Sequence, residues 1–210
     1  MLDVTDLQLT RGGRLLCDGF DLQLRAGEAL LVEGANGAGK STLLRSLAGL
    51  QPLHAQRLCW NGLQGRAARE ALAQELCFLG HRDGLHEALT AMENLDHALR
   101  LGGEAQPAGR IAQALRDAGL QAVAQAPLRR LSQGQRRRVG LARLALTRRR
   151  LWLLDEPLAA LDEAARQDFN DRLAQHLRQG GMALLSTHDP WPTAPSMPRL
   201  RLPGAQPAAA

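Results

Sequence analysis

The chain contains no tyrosine, and phenylalanine and tryptophan contribute three residues each. No tyrosine ring is therefore available to stack on a planar ligand. Lysine is almost as rare: of 26 basic residues, Lys40 is the one lysine and the rest are arginine. No run approaches the roughly 20 apolar residues that a membrane helix needs. Met1-Leu2-Asp3-Val4 shows neither a basic nor an apolar leader region, so no secretory signal is expected. Cys17, Cys59 and Cys77 are widely spaced, without C-x-x-C. That spacing argues against a disulfide framework or thiolate metal site and points to reduced packing residues in a cytosolic protein. The net charge of +5 rests on arginine excess and is compatible with nucleic acid, anionic membrane or phosphate ligands. The 210 residues suit one large domain, or one domain with a small lobe, and can bury a full core.

The single lysine sits in Gly34-Ala35-Asn36-Gly37-Ala38-Gly39-Lys40-Ser41-Thr42, which fits G-x-x-x-x-G-K-[ST]. An ammonium on a flexible stem can reach between two phosphates inside a tight loop, where a wider guanidinium demands fork geometry. The apolar run Ala29-Leu30-Leu31-Val32 precedes the loop as a buried strand, and Thr42 to Ala48 follows as a helix. Strand, glycine loop and helix are the context this motif requires. Glycines let successive backbone N–H groups face phosphate oxygens, and the helix N-terminus adds positive potential. Lys40 is expected to bridge the terminal phosphates, with the Ser41 hydroxyl on Mg²⁺.

Elsewhere, residues 2–9 and 20–24 alternate like half-buried antiparallel strands, with turns at Gly12-Gly13 and Asp18-Gly19. Further strands are expected at 76–79, 151–154, 182–185 and 199–202, and helices near 89–101, 110–118, 135–147 and 163–178. Six of the ten prolines lie from Pro190 onward, which predicts a loop-rich tail at 190–210. Leu151-Trp152-Leu153-Leu154-Asp155-Glu156-Pro157 places two carboxylates at a strand end. Asp155 suits a Mg²⁺ site, usually through water, and Glu156, pointing differently, can orient and deprotonate an attacking water. Leu131-Ser132-Gln133-Gly134-Gln135 opens a helix that Ser132 can cap, and such a start is also a ready anion site.

With that segment the chain resembles the ATP-binding-cassette (ABC) ATPases. Ser132, Gln133, Gly134 and Gln135 match their signature, Ala159-Ala160-Leu161-Asp162 their D-loop, and Ser186-Thr187-His188-Asp189 their switch-histidine segment. The resemblance spans residues 1 to about 190. It implies an α/β P-loop NTPase (RecA-like) fold: a parallel-sheet core, an N-terminal antiparallel β subdomain, and a small helical subdomain inserted at about 83–135 of one domain spanning 1–210. It implies two copies sandwiching two ATP molecules, with Ser132 and Gly134 contacting the γ-phosphate in trans. Glu156 would be the catalytic base, and His188 would contact the γ-phosphate and position Glu156 and water. Leu-Gly-His-Arg-Asp-Gly-Leu at 79–85, Leu89-Thr90-Ala91-Met92-Glu93-Asn94-Leu95 and the helix around Arg138 resemble one branch, the ATP-binding subunits of bacterial cytochrome c maturation (haem export) transporters. That branch implies a membrane-spanning transporter subunit, haem-handling maturation proteins and a place on the cytoplasmic face of the inner membrane.

Three positions depart from the family pattern. Relatives place an aromatic residue before the loop to stack on adenine; here Arg11 stands in that region and is expected to lay its guanidinium plane on the base. His81 fills the slot of the usual glutamine, where imidazole can accept from a metal-bound water with a charge that varies near neutral pH. Gln133 stands where glycine or alanine is commoner. No C-x-x-C-H is present, so the chain is no c-type haem carrier, and His54, His86, His97 and His176 suit the surface better than haem ligation. Rival readings are another small-substrate transporter, a nucleic-acid-linked ABC ATPase suggested by arginines 129–150, and a nucleotide-binding regulator without turnover. Only 92 positions separate Lys40 from Ser132, too few for the long coiled coil of the nucleic-acid class, so no nucleic acid is expected. Glu156 and His188 together oppose the third reading.

Overall fold

A computed structural model describes residues 1–81, 84–188 and 197–202. Two compact units emerge: Met1–Phe78 with Arg149–Glu156 and His176–Ala210, and Leu79–Arg148 with Pro157–Gln175.

The first unit opens with β1 (Leu2–Arg11) and β2 (Arg14–Leu24), an antiparallel hairpin turning through Gly12-Gly13. β3 (Ala29–Glu33) leads to the glycine loop and helix α1 (Lys40–Leu47). β4 (His54–Trp60) and β5 (Leu63–Gln64) complete a four-stranded sheet of order β2-β1-β4-β5. Then come α2 (Gly65–Glu75), β6 (Leu76–Leu79), β7 (Leu151–Asp155), β8 (Met182–Ser186) and β9 (Arg199–Arg201). The second sheet runs β6-β7-β8-β3-β9, with β7 parallel to β8 and β3 parallel to both β8 and β9. Every residue of β7 and β8 is buried, as their continuous apolar runs predict for strands covered on both faces. Trp60, Leu43, Leu44, Leu153 and Leu184 belong to one core cluster that joins both sheets to α1.

The second unit is helical. α3 (Ala91–Leu101), α4 (Ala108–Asp117) and α5 (Gln133–Ala142) pack Leu95, Leu99, Ile111, Leu115 and Val139 into a separate core. α6 (Glu163–Arg178) begins in this unit. Thr90 caps α3 in a reciprocal box with Glu93, satisfying two orphan donors. Asn94 is buried and locks the preceding loop: its Oδ1 accepts from the His86 N–H at 2.7 Å, and its amide donates to the carbonyls of His86, Leu89 and Thr90 at 2.9–3.2 Å.

Several expectations are corrected. Asp18-Gly19 is no turn: β2 runs through it, and the register against β1 slips between Leu7↔Phe20 and Leu9↔Cys17, a bulge that takes up the extra residue with Gly19 at positive φ. β4, β5 and α2 carry no expectation, because their polar and apolar residues follow no clean period. The helix at 135–147 begins at Gln133 and stops at Ala142, passing into a 3-10 turn at Arg143–Ala145. His176 is no free surface residue; its ring stacks on Trp152 with centroids 3.7 Å apart, and Nε2 lies 3.2 Å from the Met182 carbonyl. Arg82, Asp83, Asp189 and most of the expected tail lie outside the described residues.

Candidate nucleotide site

The glycine loop brings its functional groups together by connecting a buried strand end to a helix start. Gly39 precedes α1 at φ 106, and Lys40 is its first residue. Lys40 is 5% exposed. Its ammonium donates to the Gly34 carbonyl at 2.6 Å, the Ala35 carbonyl at 3.2 Å and Nδ1 of His188 at 3.2 Å. Burial pulls the Lys40 pKa below its ordinary value, opposed by the carboxylates of Glu156 and Asp155. Thr42 is buried as well.

Asp155 closes β7 and is 1% exposed. Its Oδ1 accepts from the Ser41 hydroxyl at 3.0 Å and from the Ser186 hydroxyl at 2.6 Å. The Ser186 oxygen in turn accepts from the Glu156 N–H at 3.0 Å. Ser186, fully buried at the end of β8, thus ties the two acidic residues to the neighbouring strand. Nothing local to Ser186 signals this role, which depends on the parallel pairing Asp155↔Ser186. Ser41 and Asp155 are hard oxygen donors 3.0 Å apart. That set fits Mg²⁺, which is usually held by one or two carboxylates with phosphate oxygens and water.

The two adjacent carboxylates take different partners, Asp155 the Ser41 and Ser186 hydroxyls and Glu156 the His188 ring, and the cause is the strand end between them rather than strand alternation. Glu156 departs from the strand at φ 52, a left-handed conformation that costs a non-glycine residue about 1–2 kcal/mol. Its Oε1 pairs closely with Nε2 of His188. A lysine ammonium can only donate, so Nδ1 of His188 accepts from Lys40 and Nε2 carries the hydrogen given to Glu156. His188 therefore joins the phosphate-loop lysine to the second carboxylate. Asp189 of that segment is among the undescribed residues.

Arg11, Gly12, Arg14 and Leu16 of the hairpin, with Ala35, Asn36 and Gly37 of the loop, line one cavity of about 640 Å³. Arg11, singled out for base stacking, therefore stands beside the phosphate loop, and Arg14 accompanies it.

The signature residues lie in the helical unit. The Ser132 hydroxyl accepts from the Gln135 N–H at 3.2 Å while Gln135 Oε1 accepts from the Ser132 N–H at 2.9 Å. This is a full capping box, and it fixes the start of α5. Gln133 is exposed. A Cβ on Gly134 would lie 2.6 Å from the Ala160 carbonyl oxygen; the helix approaches the D-loop backbone too closely for any side chain. Asp162 caps α6, accepting from the Ala165 N–H at 2.9 Å. His81 is exposed, and its preceding carbonyl, Gly80, accepts from Arg137 at 3.0 Å. Arg137, 4% exposed, also donates to the Pro157 carbonyl at 3.3 Å. Arg136 pairs with Glu87. Within the arginine run, Arg137 is thus a buried backbone bracket and Arg136 a partner in an ion pair.

A family model described as ABC transporter matches residues 17–159. The chain belongs to the ABC transporter family. This ABC ATPase is 47% identical over 188 residues to the cytochrome c biogenesis ATP-binding export protein CcmA of Cupriavidus necator, an alignment covering 90% of this chain and 83% of that one. Its fold is shared with a putative ABC transporter ATP-binding protein from Pyrococcus furiosus, with TM-score 0.80, 21% identity and 96% coverage of both chains. It is shared too with an ATP-binding cassette described as dimeric, in a post-hydrolysis state and bound to ADP and Pi, with TM-score 0.78, 22% identity, and coverage of 90% and 88%. Among the described residues of this ABC ATPase, no helix is long and apolar enough to cross a membrane.

Proposed function

We propose that this ATPase is the energy-coupling subunit of a bacterial ABC transporter complex for c-type cytochrome biogenesis, driving haem export or release of a haem-loaded chaperone. The observation that carries the reading is the joined array of Lys40, His188 and Glu156 beside Ser41 and Asp155, in a chain 47% identical to a cytochrome c biogenesis export ATPase. ATP would lie with its phosphates along residues 34–42. Lys40 would exchange its loop carbonyls for phosphate oxygens. Ser41 and Asp155 would hold Mg²⁺, which offsets charge on the phosphates when bound. Glu156 would orient the attacking water and take its proton, and the Nε2 hydrogen of His188 would keep that carboxylate aimed. Ser132 and Gly134 of a second copy would close the site, as the dimeric description of the related cassette suggests. His81 would contact the membrane-spanning subunit, with the ATPase peripheral on the cytoplasmic face.

Affinity purification of the tagged chain from solubilised bacterial membranes tests the reading. Recovery of a membrane subunit with haem-handling proteins, and loss of c-type cytochromes when Glu156→Gln replaces the wild type, are expected. Recovery of an unrelated permease with normal cytochrome levels would assign the ATPase to another transporter.

A further inference from the structure

We infer that Ser186 is a positioning residue for ATP hydrolysis: its hydroxyl joins the cation site at Asp155 to the base at Glu156, so that the Mg²⁺ requirement and turnover both depend on it. The inference rests on the proposed roles of those two carboxylates. β7 and β8 are apolar along their length except at their last residues. Those residues, Asp155 and Ser186, are register partners in the parallel pair. They are 1% and 0% exposed. A buried hydroxyl costs free energy unless it is hydrogen-bonded, and an apolar residue would simply continue the run Met182-Ala183-Leu184-Leu185. The polar side chain at the end of β8 is therefore accounted for by its bonds rather than by packing.

Those bonds have one sense. A backbone N–H can only donate, so the Ser186 oxygen accepts from Glu156 at 3.0 Å. A carboxylate can only accept, so the single Ser186 hydroxyl proton goes to Asp155 Oδ1, at 2.6 Å. The series from the Glu156 N–H through the Ser186 hydroxyl to the Asp155 carboxylate is thus polarised in one direction, and each bond strengthens the next. At one end, Glu156 stands at φ 52, a left-handed conformation that persists only where its surroundings hold it. Ser186 gives that backbone a fixed acceptor. At the other end, Asp155 Oδ1 also accepts from Ser41 at 3.0 Å. Ser41 belongs to the loop that nucleotide would occupy, whereas Ser186 stands on the sheet that carries Asp155. The donor on the sheet is the one that keeps the carboxylate aimed whatever the loop holds. Partners just outside a metal's own ligands typically govern metal affinity or activity by about 10–100-fold.

Ser186→Ala and Ser186→Cys in the full chain test this. A thiol fills the space but is a weak donor and a weak acceptor, so the two variants should behave alike. Binding of a fluorescent ATP analogue in EDTA should stay close to the wild-type value, since the phosphate loop and Lys40 are untouched. The Mg²⁺ concentration for half-maximal effect on that binding should rise about tenfold or more, and kcat at saturating Mg²⁺ should fall about tenfold or more. KM for ATP should hardly move, the pattern of an interaction realised in the transition state. A wild-type Mg²⁺ midpoint and kcat in Ser186→Ala would overturn the inference. So would full function in Ser186→Cys beside a defective Ser186→Ala, which would leave packing as the whole role. Asp155→Asn tells this inference apart from the reading beneath it. An unchanged Mg²⁺ midpoint in that variant would remove the cation site, and the inference with it; a raised midpoint there, with none in Ser186→Ala, would remove the inference alone.

Discussion

Lys40 is held by three acceptors within 3.2 Å in a setting that leaves it 5% exposed. A guanidinium there must fit extra width among two backbone carbonyls and an imidazole. Overpacking of that kind costs about 1–3 kcal/mol, so Lys40→Arg should weaken nucleotide binding about tenfold or more despite the retained charge. Titration with a fluorescent nucleotide checks it, and wild-type affinity would show that charge alone is read. A second residue responds to pH. His176 is pressed against Trp152, and burial holds its pKa below the ordinary imidazole value. The unfolded chain then binds a proton that the folded chain resists. Stability is full above about pH 6.5 and falls as pH drops through the native pKa. Thermal melts between neutral and mildly acidic pH should slope downward for the wild type, and less so for His176→Phe.

Helix starts carry much of the site. Gly134→Ala would drive a methyl to 2.6 Å from the Ala160 carbonyl, and backbone must yield. We expect a loss of about 1–3 kcal/mol of stability, read by chemical denaturation; an unchanged midpoint would mean that this turn relaxes freely. Asn94→Ala strips hydrogen bonds from four backbone groups in the loop before α3 and should cost about 2 kcal/mol or more. Both effects belong to motifs visible beforehand, because Ser132 and Thr90 announce capped helices by residue type and spacing. The phosphate loop and the strand ending in Asp155 were visible for the same reason: their chemistry is local and contiguous. Ser186 and Arg137 were not. Their partners lie 31 and 57 positions away in the chain, so their roles depend on pairing that no local pattern encodes. The bulge at Asp18-Gly19 reads as a turn in the sequence because the same residue types serve both, and only the register against β1 separates them.

At the scale of the whole molecule, the proposed site needs a second copy of the chain to close it. Glu156→Gln keeps the shape of the side chain but removes the proton acceptor, so ATP should bind and the closed pair should persist. Light scattering with Mg²⁺–ATP should report twice the monomer mass for the variant, with phosphate release at background; wild-type turnover would remove Glu156 from its role. The arginine at position 137 sets how such a machine answers to acidity. Its bracket on the Gly80 and Pro157 carbonyls is made by a group that stays protonated throughout the biological range. Those two turns are therefore pinned at every pH the cell visits. The frame around Gly80 and Pro157 then serves as a fixed reference against which a pH profile of the ATPase is read.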